Sequence, residues 1–496
     1  MPEILRSFLV VLFVAGAVFG AAHVYAKELG IDAAALRIRR NTWFALTAAA
    51  FLANSAWFFL AIAAVVLLYA VKWEKNILAL VFAILYAVPL IGFEIPGFGI
   101  VNYLFQIDYF RLISILIFIP LYFRLKNRKD ASPIGAHAAD VFVLVYICYL
   151  LVSAFPRTTF THFLRVGFGY FIDIFLPYYV ASRYFKSVQD MNEALKMLLL
   201  SSVLVGMLGF FEFAKGWLLY SRIADSWGVD WGLGWYLQRG GLVRALASSG
   251  QPIVLGYMLA VAVGVYLYLS TKIKSNSIRF TLAAIVFAGN FAPISRGPWV
   301  GAVLICFVWF ATGANAVRNL MKVSVFLGLT VVCILITPYG EKLSEFLPFV
   351  GKSDEHNIEF RNDLLENSLI VIERNPFFGS ADYMNNDELL SLKSGGDKGI
   401  VDIVNSYIAI ALSGGLVGLA LFGGIFLAAG LSVYSGFKIS PLDGDQKPLG
   451  RALFSVLIGI LFIIYTVSSI SFVPIIYWLV CGLCVSYNSL VFRRNI

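Results

Sequence analysis

Apolar runs separated by short charged connectors recur along the whole chain. They fall at 8–26, 42–71, 77–93, 112–123, 140–155, 166–180, 197–213, 253–270, 280–294, 299–313, 323–336, 416–434 and in a closing hairpin over 452–492. Many reach about 18 residues, which as helix crosses roughly 30 Å of hydrocarbon. Apolar and polar positions do not alternate within them, which excludes the period-two strands of a transmembrane barrel. The pattern predicts an all-α polytopic integral membrane protein with about 12–14 transmembrane helices in a single domain spanning the chain. The first run reads as a retained span. The 42–71 run is long for one span and tight for two, and Asn54 and Ser55 in its middle suit a turn.

One long interval, 338–402, cannot sit in lipid. Acidic residues outnumber basic ones there by about two to one. It opens on Pro-Tyr-Gly, and its centre, Asn357 to Arg374, has helical spacing with Leu365, Leu369 and Ile372 on one face. Pro376, which lacks an N–H, ends that helix. A second polar interval covers 215–251. No repeat of fixed period is visible.

Composition agrees with the pattern: 60% of residues are hydrophobic and 14% charged, which overrides the domain count that length alone would suggest for a soluble chain. The net charge of +9 is not a nucleic-acid signature, because the basic residues cluster between spans. Examples are Arg124 to Lys129, Arg183 with Lys186, Lys272 with Lys274, and Lys447 with Arg451. Such clusters mark cytoplasmic connectors and put both polar intervals on the opposite, outer face. Cys148, Cys306, Cys333, Cys481 and Cys484 all lie in apolar runs and read as small packing residues.

No nucleotide-binding, zinc-protease or serine-hydrolase motif is present, and the four histidines are scattered, which argues against a metal site. Arginines on the outer face are the most informative residues. Arg244 lies in RALASSGQPIVLG, Arg296 in a short turn SRGPW, and Arg361 on the helix of the 338–402 interval. Guanidinium keeps its charge and offers a planar fork matched to phosphate oxygens, so three converging would clamp a diphosphate. The alternative for each is pairing with acidic loop residues or lipid headgroups. Asp173 is an acid well inside a span; it reads either as a proton-coupling group or as one half of a pair with Arg165 or Arg111. Glu94 and Glu212 sit at span ends.

Four segments, in order, resemble the O-antigen ligase and Wzy-type polysaccharide polymerase superfamily. SRGPWVGAVL is similar to its Ser-Arg-Gly segment, and RALASSGQPIVLGYML to its Arg-containing loop before a Pro-led helix. RNDLLENSLIVIERNPFFGS resembles its Arg-led helix followed by Asn-Pro-x-x-Gly. VNSYIAIALSGGLVGLALF resembles its segment at the return to the membrane. The resemblance covers roughly 244–422. It implies metal-independent, inverting glycosyl transfer, without a cofactor, at the periplasmic face of the bacterial inner membrane. The donor would be an oligosaccharide on undecaprenyl diphosphate. Arg244, Arg296 and Arg361 would stabilise the leaving diphosphate. Ser295, Gln251, Asn405 and Tyr407 would contact substrate. Both polar intervals become periplasmic loops, with 338–402 as a lid.

Ligases of the family carry a histidine before the asparagine; here Val404 precedes Asn405, and His356 lies well upstream. That departure favours a polymerase of exopolysaccharide or O-antigen repeats. Asp402 is the candidate general base, or else a helix cap. The expected partners are the lipid-linked substrate and the bilayer, together with chain-length-regulating and flippase proteins. Two other readings stay open: a ligase delivering glycan to a lipid or protein acceptor, and a transporter or flippase using Asp173.

Overall fold

In the computed structural model the described residues are 1–24, 26–99, 101–155, 158–336, 355–392, 402–440 and 444–494. The segments 337–354 and 393–401, including the expected Pro-Tyr-Gly turn, lie outside them. The chain opens with α1 (Glu3–Val24), α2 (Ala33–Leu52), α3 (Ala56–Trp73) and α4 (Ile77–Ile84). A hairpin of β1 (Phe93–Pro96) and β2 (Tyr103–Ile107) follows. Next come α5 (109–126), α6 (Ala138–Ala154), α7 (Phe160–Arg183), α8 (Val188–Lys215) and the short α9 (Ile223–Trp227). A two-residue hairpin, β3 (Gln238–Arg239) with β4 (Leu242–Val243), precedes α10 (Pro252–Ser270). The remainder is α11 (Asn276–Phe291), α12 (Arg296–Ala311), α13 (Ala316–Ile336), α14 (Glu355–Arg374), α15 (Asp387–Leu390), α16 (Ser406–Ile439), α17 (Gln446–Ile464) and α18 (Phe472–Arg494).

This is a multi-pass, mostly helical membrane protein. Among the described residues, eight helices are long and apolar enough to cross a membrane, and α6 and α12 are apolar but shorter. The expected crossings at 112–123, 280–294 and 323–336 fall on α5, α11 and α13. The 42–71 run is two helices: the chain turns at Ala53, Asn54 and Ser55, and the Ser55 hydroxyl accepts the Phe58 N–H to start α3. The two hairpins were not expected from the apolar pattern, being too short to show a period.

Contacts between helix ends sort them onto two faces. On the basic face, Arg39 of α2 is wholly buried against Glu74, 2.8 Å away, and Glu193 of α8. Arg183 at the end of α7 meets Asp140 of α6 at 2.6 Å, also buried, and the Tyr178 hydroxyl donates to the same carboxylate. Arg183 is therefore a buried structural partner, which goes beyond the topological role expected for the basic clusters. On the opposite face, Arg222 pairs with Glu3 at 3.0 Å, and the Trp227 indole donates to the Ala50 carbonyl. Among the described residues Cys148, Cys306, Cys481 and Cys484 are free thiols, the last two buried in α18.

The expected helix centred on Asn357 to Arg374 is α14, but its buried face is shifted by one residue. Leu364, Ser368 and Val371 are buried, whereas Leu365 and Leu369 are 39% and 49% exposed. The burying surface is Leu389, Ile403 and Leu412, so α14 packs on α15 and on the first turns of α16. Beyond it, α16 breaks at Gly415, whose φ is +62°. The freed backbone groups find partners in the chain after α14. Leu416 N–H donates to the Pro376 carbonyl at 2.7 Å and Val417 N–H to that of Phe377 at 3.2 Å, while Ser380 N–H donates to the Leu412 carbonyl at 2.8 Å. The Tyr149 hydroxyl takes the Gly414 carbonyl. A Cβ at Gly415 would strike the Phe377 carbonyl, and φ is left-handed there, so only glycine fits.

Gly415→Ala should therefore lower folding stability by roughly 1–3 kcal/mol. Gly423→Ala in the same helix, where an added Cβ meets nothing within 4 Å, should leave the unfolding temperature in detergent unchanged. Equal melting of the two variants would contradict this role of Gly415.

Candidate active site

The site begins with a buried acid. Glu212 lies near the end of α8, at the span end expected for it, and is wholly buried. Its carboxylate accepts the N–H groups of Leu219 and Leu246, each at 2.8 Å, and of Ala247 at 2.7 Å. An anionic acceptor with several backbone donors is a strong, charge-assisted arrangement. It fixes the loop that carries Arg244, whose Ala247 takes a left-handed φ of +46°.

That loop wraps the turn between α11 and α12. Arg244 Nε donates to the Pro293 carbonyl at 3.0 Å and Nη2 to the Ser295 hydroxyl at 2.8 Å. Arg239 donates to the Ile294 carbonyl at 3.0 Å, and Ala245 N–H to that of Ala292 at 3.2 Å. Below the turn, the Trp299 indole donates to the Asn290 carbonyl at 2.7 Å and its ring stacks on Phe291. Arg296, the first residue of α12, follows the buried Ser295 and is itself half-buried. None of Arg239, Arg244, Arg296 and Arg361 is a free cation.

A loop that sequence reasoning missed ties this cluster to the start of α16. Residues 465–471 join α17 to α18, and Thr466 lies so close to Gly297 that a Cβ there would collide with its hydroxyl. The Ser406 hydroxyl donates to the Val467 carbonyl at 2.7 Å, and Ser469 donates to Ser406 at 2.8 Å. Ser468 donates to the Asp402 carboxylate at 2.9 Å, and Ser471 to the Ser249 carbonyl at 3.0 Å. The signal was present as TVSSIS, four hydroxyls in six residues between apolar runs. A hydroxyl-rich turn next to membrane helices has backbone groups to satisfy.

This loop's hydrogen bonds and the close approach of Thr466 to Gly297 bring together the N-terminal ends of α10, α12, α16 and α18 on the face opposite the basic connectors. Each such end carries a partial positive charge and unsatisfied N–H groups, which favour an anion. Close approach of Gly256 to Pro298, at 2.9 Å for an added Cβ, draws α10 and α12 together.

Arg244, Ser295 and Arg296 thus stand together. Gln251 sits at the start of α10, half-buried, with its backbone carbonyl accepting the Ser249 hydroxyl at 2.9 Å. The Asn405 side chain caps α16, accepting the N–H groups of Tyr407 and Ile408 at 2.9 and 3.2 Å. The cap thus falls to Asn405, and Asp402 is left exposed on the Ser468 hydroxyl. The Tyr407 hydroxyl donates to the Leu461 carbonyl of α17 at 2.7 Å. Arg361 is exposed on α14. Asp173 is paired with Arg111, Nη2 at 2.8 Å, and the Arg165 guanidinium instead covers the Tyr103 ring. Among the described residues, no three His, Cys, Asp or Glu side chains gather to hold a metal ion.

Residues 281–423 match the O-antigen ligase family model, Wzy_C. The match takes in Ser295, Arg296, Arg361, Asp402, Asn405, Tyr407 and the Gly415 break, but neither Arg244 nor the 465–471 loop. No curated protein matches the chain.

Glu212→Gln should weaken the Arg244 loop, lowering stability by roughly 1–3 kcal/mol for the lost charge-assisted bonds. Faster hydrogen exchange at Leu246 and Ala247 is the expected readout, and exchange equal to wild type would contradict the organising role of Glu212.

Proposed function

We propose, from the premise that this chain carries an O-antigen ligase domain and is an enzyme of the ligase and polymerase type, that it polymerises oligosaccharide repeats borne on undecaprenyl diphosphate. The reaction takes place at the periplasmic face of a bacterial inner membrane. The observation that carries this reading is the convergence of Arg244, Ser295 and Arg296 beside several helix N-termini on the outer face. Such a place favours a diphosphate over any neutral group.

In the proposed step an acceptor sugar hydroxyl attacks C1 of the donor sugar. The bond from C1 to the phosphate oxygen breaks, and the diphosphate leaves with the bonding pair. Arg296 and Arg244 offset the charge that grows on the leaving oxygen, acting as fixed donors. Asp402, exposed and oriented by Ser468, receives the acceptor proton. Arg361 reaches the diphosphate from the lid, 338–402, while 215–251 supplies the opposite wall through Arg244. Gln251 and Ser295 border the phosphate. Asn405 and Tyr407 act through the start of α16 that they fix. Val404 in place of the ligase histidine supports the polymerase over a ligase. The ion-paired Asp173 gives a proton-coupled transporter no free carboxylate. A flippase and a chain-length regulator are the partners such a polymerase needs.

Purified protein given lipid-diphosphate oligosaccharide should yield a ladder of lengthening, lipid-linked products. Arg296→Lys should still insert and fold but lose the ladder by about 100-fold or more, since a point charge does not replace the fork. Wild-type polymer from that variant would overturn the assignment.

A further inference from the structure

The N-terminal half holds a polar cleft, of about 270 Å³, lined by β2, α5 and α7. It opens on the outer face, since the adjoining strand β1 packs Phe93 on Trp57 at the start of α3 and the Trp231 indole donates to Leu90 just before it. Its floor is the ion pair already described: Arg111 Nε lies 3.2 Å from both Asp173 oxygens, and Nη1 donates to the Gln106 carbonyl at 2.7 Å. One wall is the Tyr103 ring, pinned by the Arg165 guanidinium 3.8 Å from its centroid, which also donates to the Tyr103 and Leu104 carbonyls.

Both helices that form the cleft widen there. α5 has a π turn at Ser114–Phe118 and α7 one at Phe171–Phe175, and the Ser114 hydroxyl donates to the Ile172 carbonyl between them. Such turns are rare in helices and concentrate where a side chain must be presented. Here the second presents Asp173, which is about a third exposed to the cleft. Among the described residues the Gln106 amide and the Tyr103 and Tyr170 hydroxyls bond to no protein group.

We propose that this cleft binds a saccharide ring. Aromatic faces suit the C–H face of a pyranose. A carboxylate with spare lone pairs, an amide and two phenols match a ring of hydroxyls that both donate and accept. An anion fits poorly, because the Asp173 carboxylate repels it and Arg111 is engaged through Nε, Nη1 and Nη2 with that carboxylate and the Gln106 carbonyl, while Arg165 spends Nε and Nη2 on backbone carbonyls. That the bound ring belongs to the glycan being transferred rests on the proposed function; that the cleft takes a sugar does not.

Saturation-transfer NMR on the full chain in nanodiscs tests this with methyl glycosides of glucose, galactose, mannose and N-acetylglucosamine, and with sodium phosphate as competitor. At least one glycoside should give a signal that phosphate leaves intact. Tyr103→Ala and Gln106→Ala should each cut it roughly five-fold, as expected for one neutral contact, at unchanged melting temperature, and Arg296→Lys should retain it. The proposal is overturned if no glycoside gives a signal, if the signal survives both cleft variants, or if phosphate abolishes it. A retained glycoside signal beside wild-type polymer from Arg296→Lys would remove the polymerase reading and leave the cleft standing.

Discussion

A helix in hydrocarbon cannot break unless something else satisfies the backbone groups that the break releases. α16 breaks at Gly415, and the groups that answer are the Pro376 and Phe377 carbonyls and the Ser380 N–H, all from the chain that follows α14. The segment after α14 is therefore part of α16's own hydrogen bonding. Its removal would leave at least three backbone groups of α16 without their partners, each at a cost of about 1–3 kcal/mol where water does not take the partner's place. This dependence holds α14 over the first turns of α16, where Leu364 and Val371 meet Leu412.

The same economy of backbone groups shapes the cationic cluster. Arg239 and Arg244 donate to carbonyls of the 292–295 turn, and Glu212 accepts from the loop that brings Arg244 there. The turn is held in a conformation where Ile294 has a φ of +46°. These guanidiniums are thus placed by neutral backbone groups, which orient them without neutralising their charge. One helix terminus contributes only about 0.3–1 kcal/mol to holding an anion. Several termini together with charged forks matched to phosphate are the stronger combination.

Much of the architecture was legible because lipid demands long apolar runs, and α1, α3, α8, α10, α17 and α18 follow from that demand alone. The turn at Asn54 and Ser55 was legible from its polar side chains. The buried face of α14 was not. Its sequence is apolar at both 364–365 and 371–372, and only the positions of Leu389, Ile403 and Leu412 decide which stripe faces inward. Ser295 and Arg296 stood out as a charge in a short turn. The serines of 465–471 did not, because hydroxyls near a span end read as ordinary connector residues until their partners, Asp402, Ser406 and Ser249, are known. Gly415 stands in a glycine-rich apolar run that does not single it out, whereas its backbone angle requires glycine. Glu212 reads as a span-end residue, and its burial there depends on a loop folding back over it.

The most direct test of the account is hydrogen–deuterium exchange of the nanodisc-embedded protein with and without undecaprenyl diphosphate. Binding should protect 244–249, 293–299 and 466–471 together, since one ligand would bridge the three segments. Protection confined to the basic face, or absent from these segments at saturating lipid, would contradict it.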